Sequence, residues 1–268
     1  QEEAQVFDAR SRRVTDVTVG PRTNYAVVRL KQELGRNGSE VGLFVSGVTR
    51  DLDPRDPLAA LYNRNAFTAV ADFSHRFHNR TYEVSGNLGY TRVVGEPGNI
   101  ERLQRSSARY FQRPDVTHVR LDPTRRSLEG GSGGLSLEKG EGSWTFDLST
   151  GFESPETERN DIGSLRTADG VFGSAEVGYR QTRPGFFYQW EAELSSTVEA
   201  DYAWEVQTRS VRAGAELTWR NFWQTRLRLN LDGAAQNARL TRGGPSMGTP
   251  RGWSLSVSQG NRFQSSRR

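Results

Sequence analysis

Four groups of residues have types and spacings that could carry chemistry. Gly130-Gly131-Ser132-Gly133-Gly134 matches the G-x-S-x-G pattern of a serine nucleophile, which needs a strand before it and a helix after it to lift the hydroxyl onto a sharp turn. Here a polar stretch precedes the pattern and an alternating strand through Leu135 and Leu137 follows, so it reads as a flexible glycine loop. Glu191 and Glu193 fall on one face of an alternating segment, about 7 Å apart, near the carboxylate separation of a glycosidase. The same pair suits the wall of a water-filled space. His75 and His78 sit three residues apart at a strand end, which places them on opposite faces and separates them as ligands of one ion. Cysteine is absent, which excludes thiolate metal sites, disulfides and a Cys nucleophile together. No catalytic residue, metal site or cofactor is predicted within these residues.

The fourth group is a stretch from 94 to 130, too long for an idle connection. It gathers Arg102, Arg105, Arg109, Arg113, Arg120, Arg125 and Arg126 with Tyr110 and Phe111. Guanidinium groups and aromatic faces suit sugar rings, anionic lipopolysaccharide or a polysaccharide strand. Arg105, Arg109, Tyr110, Phe111 and Arg113 are therefore the candidate ligand-binding residues. The competing expectation is a plug or surface loop whose arginines pair with carboxylates. The whole chain has 36 Lys+Arg against 32 Asp+Glu, a formal charge of +4. Its arginines are dispersed among nearly as many acids and form no basic run, so nucleic acid is not an expected partner.

The elements that must position these residues are strands. Mean hydropathy is −0.72, and nowhere do 18 apolar residues run together as a spanning helix requires. Instead, apolar and polar residues alternate with period two. Val211, Ala213, Ala215, Leu217 and Trp219 oppose Arg212, Glu216, Thr218 and Arg220, and Leu227, Leu229 and Leu231 oppose Arg226, Arg228, Asn230 and Asp232. Such runs predict eleven strands, near residues 24–34, 39–50, 66–76, 80–93, 131–139, 142–153, 171–182, 186–197, 204–219, 221–233 and 251–260. Their connections alternate between tight turns and long polar loops. That alternation belongs to an antiparallel up-and-down transmembrane β-barrel with short turns at one end and long loops at the other. Glu191, Glu193, Arg226, Arg228 and Asp232 would then face the lumen. Trp144, Tyr90, Tyr179, Trp190, Trp204, Trp219, Trp223 and Trp253 would mark the two membrane interfaces. A soluble sandwich, which also alternates, is the rival architecture.

Leu61-Tyr62-Asn63-Arg64-Asn65-Ala66-Phe67, the run from Gln104 through Arg109, Tyr110, Phe111 and Arg113 to Asp115, and Asn160-Asp161-Ile162-Gly163 together resemble the C-terminal barrel region of the domain-of-unknown-function 5916 family. Thr23 to Arg29 and Leu121-Asp122-Pro123-Thr124 fit the same pattern, so the resemblance covers roughly residues 23 to 260. It implies an outer-membrane protein of bacteria that usually carries an upstream family-9-like carbohydrate-binding module, and that is sometimes labelled a membrane-associated hydrolase. The expected organisation is a lead-in over 1–23, a barrel segment over 24–260 and a tail over 261–268. The odd strand number and the start at Gln1-Glu2-Glu3-Ala4, unlike a signal peptide, fit an internal piece of a larger barrel. Its expected role is passage or surface binding of carbohydrate-related material, with outer-membrane lipid, lipopolysaccharide and oligo- or polysaccharide as partners. The alternatives are a glycoside or ester hydrolase with its site in the loops, tested through Ser132 and Glu191, and a soluble carbohydrate-binding sandwich.

Overall fold

The computed structural model describes residues 2–161 and 163–261. It begins with a hairpin of β1 (Glu2–Asp8) and β2 (Arg13–Gly20), where the sequence pattern had left only a lead-in. There follow β3 (Thr23–Leu34), β4 (Ser39–Arg50), β5 (Asn65–Phe77), β6 (Tyr82–Val94), β7 (Ser127–Lys139), β8 (Trp144–Glu153), β9 (Gly170–Gln181), β10 (Gln189–Ala200), β11 (Val206–Thr218), β12 (Trp223–Asp232) and, after the small pair β13 (Ala235–Asn237) and β14 (Met247–Thr249), β15 (Gly252–Asn261). β3 to β12 and β15 form one antiparallel sheet of eleven strands in which spatial order follows chain order. Each corresponds to a predicted strand. No described strand pairs with the outer edges of β3 and β15. The expected tail lies, beyond Asn261, outside the described residues.

One face of this sheet is apolar and bare. Phe146, Val177, Leu194, Ala213, Leu229 and Leu255 follow one another across six strands, and Val177, Leu194 and Leu255 are exposed. No described element packs over them, because the sheet's strands touch one another and their own loops. The sandwich architecture is thereby corrected, since it needs a second layer on that face. At the tight-turn end the face carries a row of rings: Phe77 to Tyr82 at 5.4 Å, Tyr82 to Phe146 at 6.2 Å, Trp144 to Tyr179 at 4.8 Å, Tyr179 to Trp190 at 5.0 Å and Phe187 to Trp219 at 5.0 Å.

The opposite face changes character along its length. Towards the tight turns it is charged, with Glu83, Glu138, Asp147 and Glu176 paired in register across four strands. Towards the long loops the same alternation brings up Val48, Ala66, Val93 and Leu128, all buried. Ile100 and Phe111 from the long 95–126 segment complete that core, flanked by Leu103, Val119 and Leu121. Complete burial of Ile100 and Leu128 contributes about 1.5–3 kcal/mol each. A folded cap thus covers one end of the polar face.

Within the cap a short 3-10 helix, Pro57–Ala60, and one α-helix, α1 (Pro97–Gln104), carry the chain. Pro97 opens α1, where its missing N–H has no helical partner to lose, and Arg102 stands near the C-terminal carbonyls that favour a cation. The glycines expected to form a flexible loop lie inside β7, which corrects that expectation. They serve close approach: a Cβ on Gly130 would run into the backbone of Thr157, and one on Gly133 would stand 2.7 Å from the Phe152 ring.

Candidate functional site: a cap over a charged sheet face

Two polar latches fasten the cap. In the first, Arg50 at the end of β4 donates to the Asn63 carbonyl at 2.9 Å and stands 2.7 Å from Asp161. Asn63 donates to Asp161 and accepts from Asn99 at 2.6 Å, and Asn99 accepts from Arg102 at 2.6 Å. Each member is satisfied by another loop, so the cluster fixes three chain segments against one strand end. In the second, the Arg109 guanidinium makes four hydrogen bonds: Nε donates to the Pro155 carbonyl at 3.1 Å, Nη1 to Leu103 O at 3.1 Å and Ser106 Oγ at 3.2 Å, and Nη2 to Thr157 O. Its Nη2 also stands 2.9 Å from Glu158 Oε2, an ion pair by distance whose angle is not that of a hydrogen bond. The side chains are 0% and 2% exposed. Burial pushes the Arg109 guanidinium below its ordinary range, and the Glu158 charge opposes that push.

These contacts redistribute the five loop candidates. Arg109 is consumed by its latch and Phe111, 3% exposed, by the core. Arg105 lies on the surface, paired with Glu101 one helical turn away at 2.8 Å. Tyr110 is half-buried at a left-handed φ of 52°. Arg113 is buried, with Nε and Nη1 lacking a hydrogen-bond partner among the described residues. Elsewhere in the segment Arg125 meets Glu156 through two hydrogen bonds of 2.7 Å, which raises its pKa.

The face below the cap gathers the other candidates. Register sets Arg180 beside Glu191, Glu191 beside Glu216, and Glu216 beside Arg226; the next row holds Glu193, Gly214 and Arg228. Together they line an open cleft of about 300 Å³. Arg226 donates to Glu216 at 2.6 and 3.0 Å. Asp232 lies opposite Ser210 at the far end of β12, outside that cleft. This cleft is open and carries both signs of charge.

Enzyme constellations find little support in the geometry. Ser132 lies in mid-strand, opposite Gly89, without the strand-to-helix turn that exposes a nucleophile. The described Ser–His hydrogen bond is elsewhere, Ser39 Oγ to His75 Nδ1 at 3.2 Å, and that hydroxyl also accepts from the Arg76 N–H at 2.9 Å, a contact between the paired ends of β4 and β5. Sequence reasoning missed a different group: His118, Asp169 and Asp201, whose ligand atoms lie within 4.8 Å of one another. Only its single histidine hinted at it.

Three latch residues, Asn63, Arg109 and Asp161, lie in the motifs that carry the family resemblance. A model of the DUF5916 family, a domain of unknown function, matches residues 1–239. The chain belongs to this family. The match takes in β1 and β2 as well, so the DUF5916 region starts earlier than the stretch that the motifs alone covered. Comparison with curated proteins and with solved structures gives no match. What distinguishes this DUF5916 chain is consequently read from its own geometry: a bare apolar face, a charged face behind it, and a cap on one end.

Proposed function

We propose that the sheet is part of the wall of an outer-membrane β-barrel whose charged face borders water and whose cap limits passage or surface capture of carbohydrate-related material. The bare apolar face carries this reading. Eleven adjacent strands expose a continuous apolar surface that water would penalise and hydrocarbon would not. Tyr82 and Tyr90 bracket that surface on β6, eight residues or about 27 Å along the strand, the scale of an apolar band about 25 Å tall crossed at a tilt. The ring row at the tight-turn end suits one interface, and Tyr90 and Trp253 suit the other. On the opposite face, closely spaced acids and arginines favour hydroxyl-rich solutes over apolar ones.

The test is reconstitution. In proteoliposomes, deletion of residues 100–125 is expected to raise conductance and oligosaccharide permeation severalfold. Unchanged values for both would remove the cap from the mechanism. A monodisperse, folded protein without detergent would overturn the membrane reading itself.

A further inference from the structure

Three side chains that neither latch uses meet where three loops converge. His118 comes from the 95–126 segment, Asp169 immediately precedes β9, and Asp201 immediately follows β10. His118 Nε2 stands 2.8 and 2.9 Å from the two Asp169 oxygens. These are hydrogen bonds, and an ion bonded at about 2.0–2.2 Å, whose ligands stand about 3 Å apart, would replace the shared proton and draw in Asp201, which lies within 4.8 Å.

Burial supplies an independent reason to place a cation here. Asp169 is 9% and Asp201 3% exposed. Among the described residues, the ion pairing of these two carboxylates is limited to His118 with Asp169. A carboxylate held away from water is costly unless a cation meets it; the Arg239 guanidinium lies close enough to feel the Asp169 charge, whereas Asp201 has no ion pair among the described residues. Backbone groups already orient the acids as an outer shell would. The Tyr202 N–H donates to Asp169 Oδ1 at 3.1 Å, and the N–H groups of Ala203 and Glu205 donate to Asp201 Oδ1 at 3.0 and 2.9 Å. Asp201 Oδ2 keeps one long contact, 3.4 Å from Gln207 Nε2, and is the oxygen left for an ion.

We propose that His118, Asp169 and Asp201 bind one divalent ion of the zinc class, which pins the cap to the corners of β9 and β10. The imidazole nitrogen selects zinc-like ions over magnesium and calcium, which favour oxygen ligands throughout. Three protein ligands leave one tetrahedral position for water. This site does not depend on the passage reading; a soluble or membrane-bound chain would hold the ion equally.

The experiment equilibrates the whole protein with zinc chloride, removes free ion by gel filtration and measures bound metal by elemental analysis, with magnesium and calcium chlorides in parallel. One zinc per chain is expected, falling at least tenfold in Asp201→Asn and in His118→Gln. The glutamine can still donate to Asp169, so His118→Gln keeps the fold while it loses the ligand. Chelation should speed proteolytic nicking between residues 95 and 126 at least fivefold in the parent and leave both variants unchanged. Absence of retained zinc in the parent, equal zinc in parent and variants, or tighter retention of calcium would each overturn the proposal.

Discussion

Arg109 and Arg226 each hold a glutamate, one in the cap at the long-loop end of the sheet, the other on the same face near the tight turns. Arg226 and Glu216 remain about a third exposed, with side chains at 32% and 30%. Arg109 and Glu158 are dry. Water screens the first pair and lets either partner stand alone; the second pair has itself, the carbonyls and the Ser106 hydroxyl that Arg109 donates to, and the Asn160 N–H that donates to Glu158. Similar chemistry therefore does different work at the two ends, local order on an open wall against integrity of a folded cap.

Truncation of the acids should break this comparison most sharply if it is wrong. Glu158→Ala leaves the Arg109 charge buried and is expected to cost about 3–5 kcal/mol of cap stability, against no more than about 1 kcal/mol for Glu216→Ala. Limited proteolysis between residues 95 and 126 reads the first loss as nicking accelerated a hundredfold or more. Equal rates in the two variants would erase the distinction.

Glycines sharpen the comparison within the cap region. Gly130→Ala forces a methyl group into the Thr157 backbone and should cost about 1–3 kcal/mol. Gly98→Ala meets nothing within 4 Å on α1 and should gain up to about 1 kcal/mol. Thermal melts of the two variants should move in opposite directions.

The smallest effect is a pH dependence. Burial pushes the Asp115 carboxyl up, but the N–H of Ser246, at 2.7 Å, and the nearby Arg113 charge outweigh it and hold the group below its ordinary value. A carboxyl depressed in the folded state contributes stability above its unfolded pKa, near 3.9, and loses it as pH falls through the lower folded value. Parent and Asp115→Asn melts should thus differ at neutral pH and converge as pH falls through the lowered folded value. A constant difference across that range would detach the contact from the titration.

Strands were legible because side-chain alternation is a local property: Trp223 to Asp232 declares its two faces within ten residues. The cap was not, because Ile100, Leu103, Phe111, Val119 and Leu121 follow no period and owe their burial to strands far away in the chain. One local signal was present. On β4, β5, β6 and β7 the face that carries Ser46, Thr68, Thr91 and Gly130 turns apolar at its loop end, with Val48, Ala66, Val93 and Leu128, which announces a covering element. The charged cleft was largely legible from alternation, whereas the loss of Arg109 and Phe111 to packing was not, since a guanidinium or ring looks the same in sequence whether it faces solvent or a core. His118, Asp169 and Asp201 are separated by 51 and 32 positions, and only the folded chain unites them.

The meander has a consequence for the order of assembly. Every strand of the large sheet bonds to its nearest sheet neighbours in the chain, so each hairpin can add to the last as it emerges. The cap's ties are of another kind: Asn63 waits for Asp161, 98 positions later, and Asp115 for Ser246, 131 positions later. The two latches can therefore close only once β8 is made, and the Asp115 tie only after β12, so a chain halted midway would carry a cap that is only partly fastened.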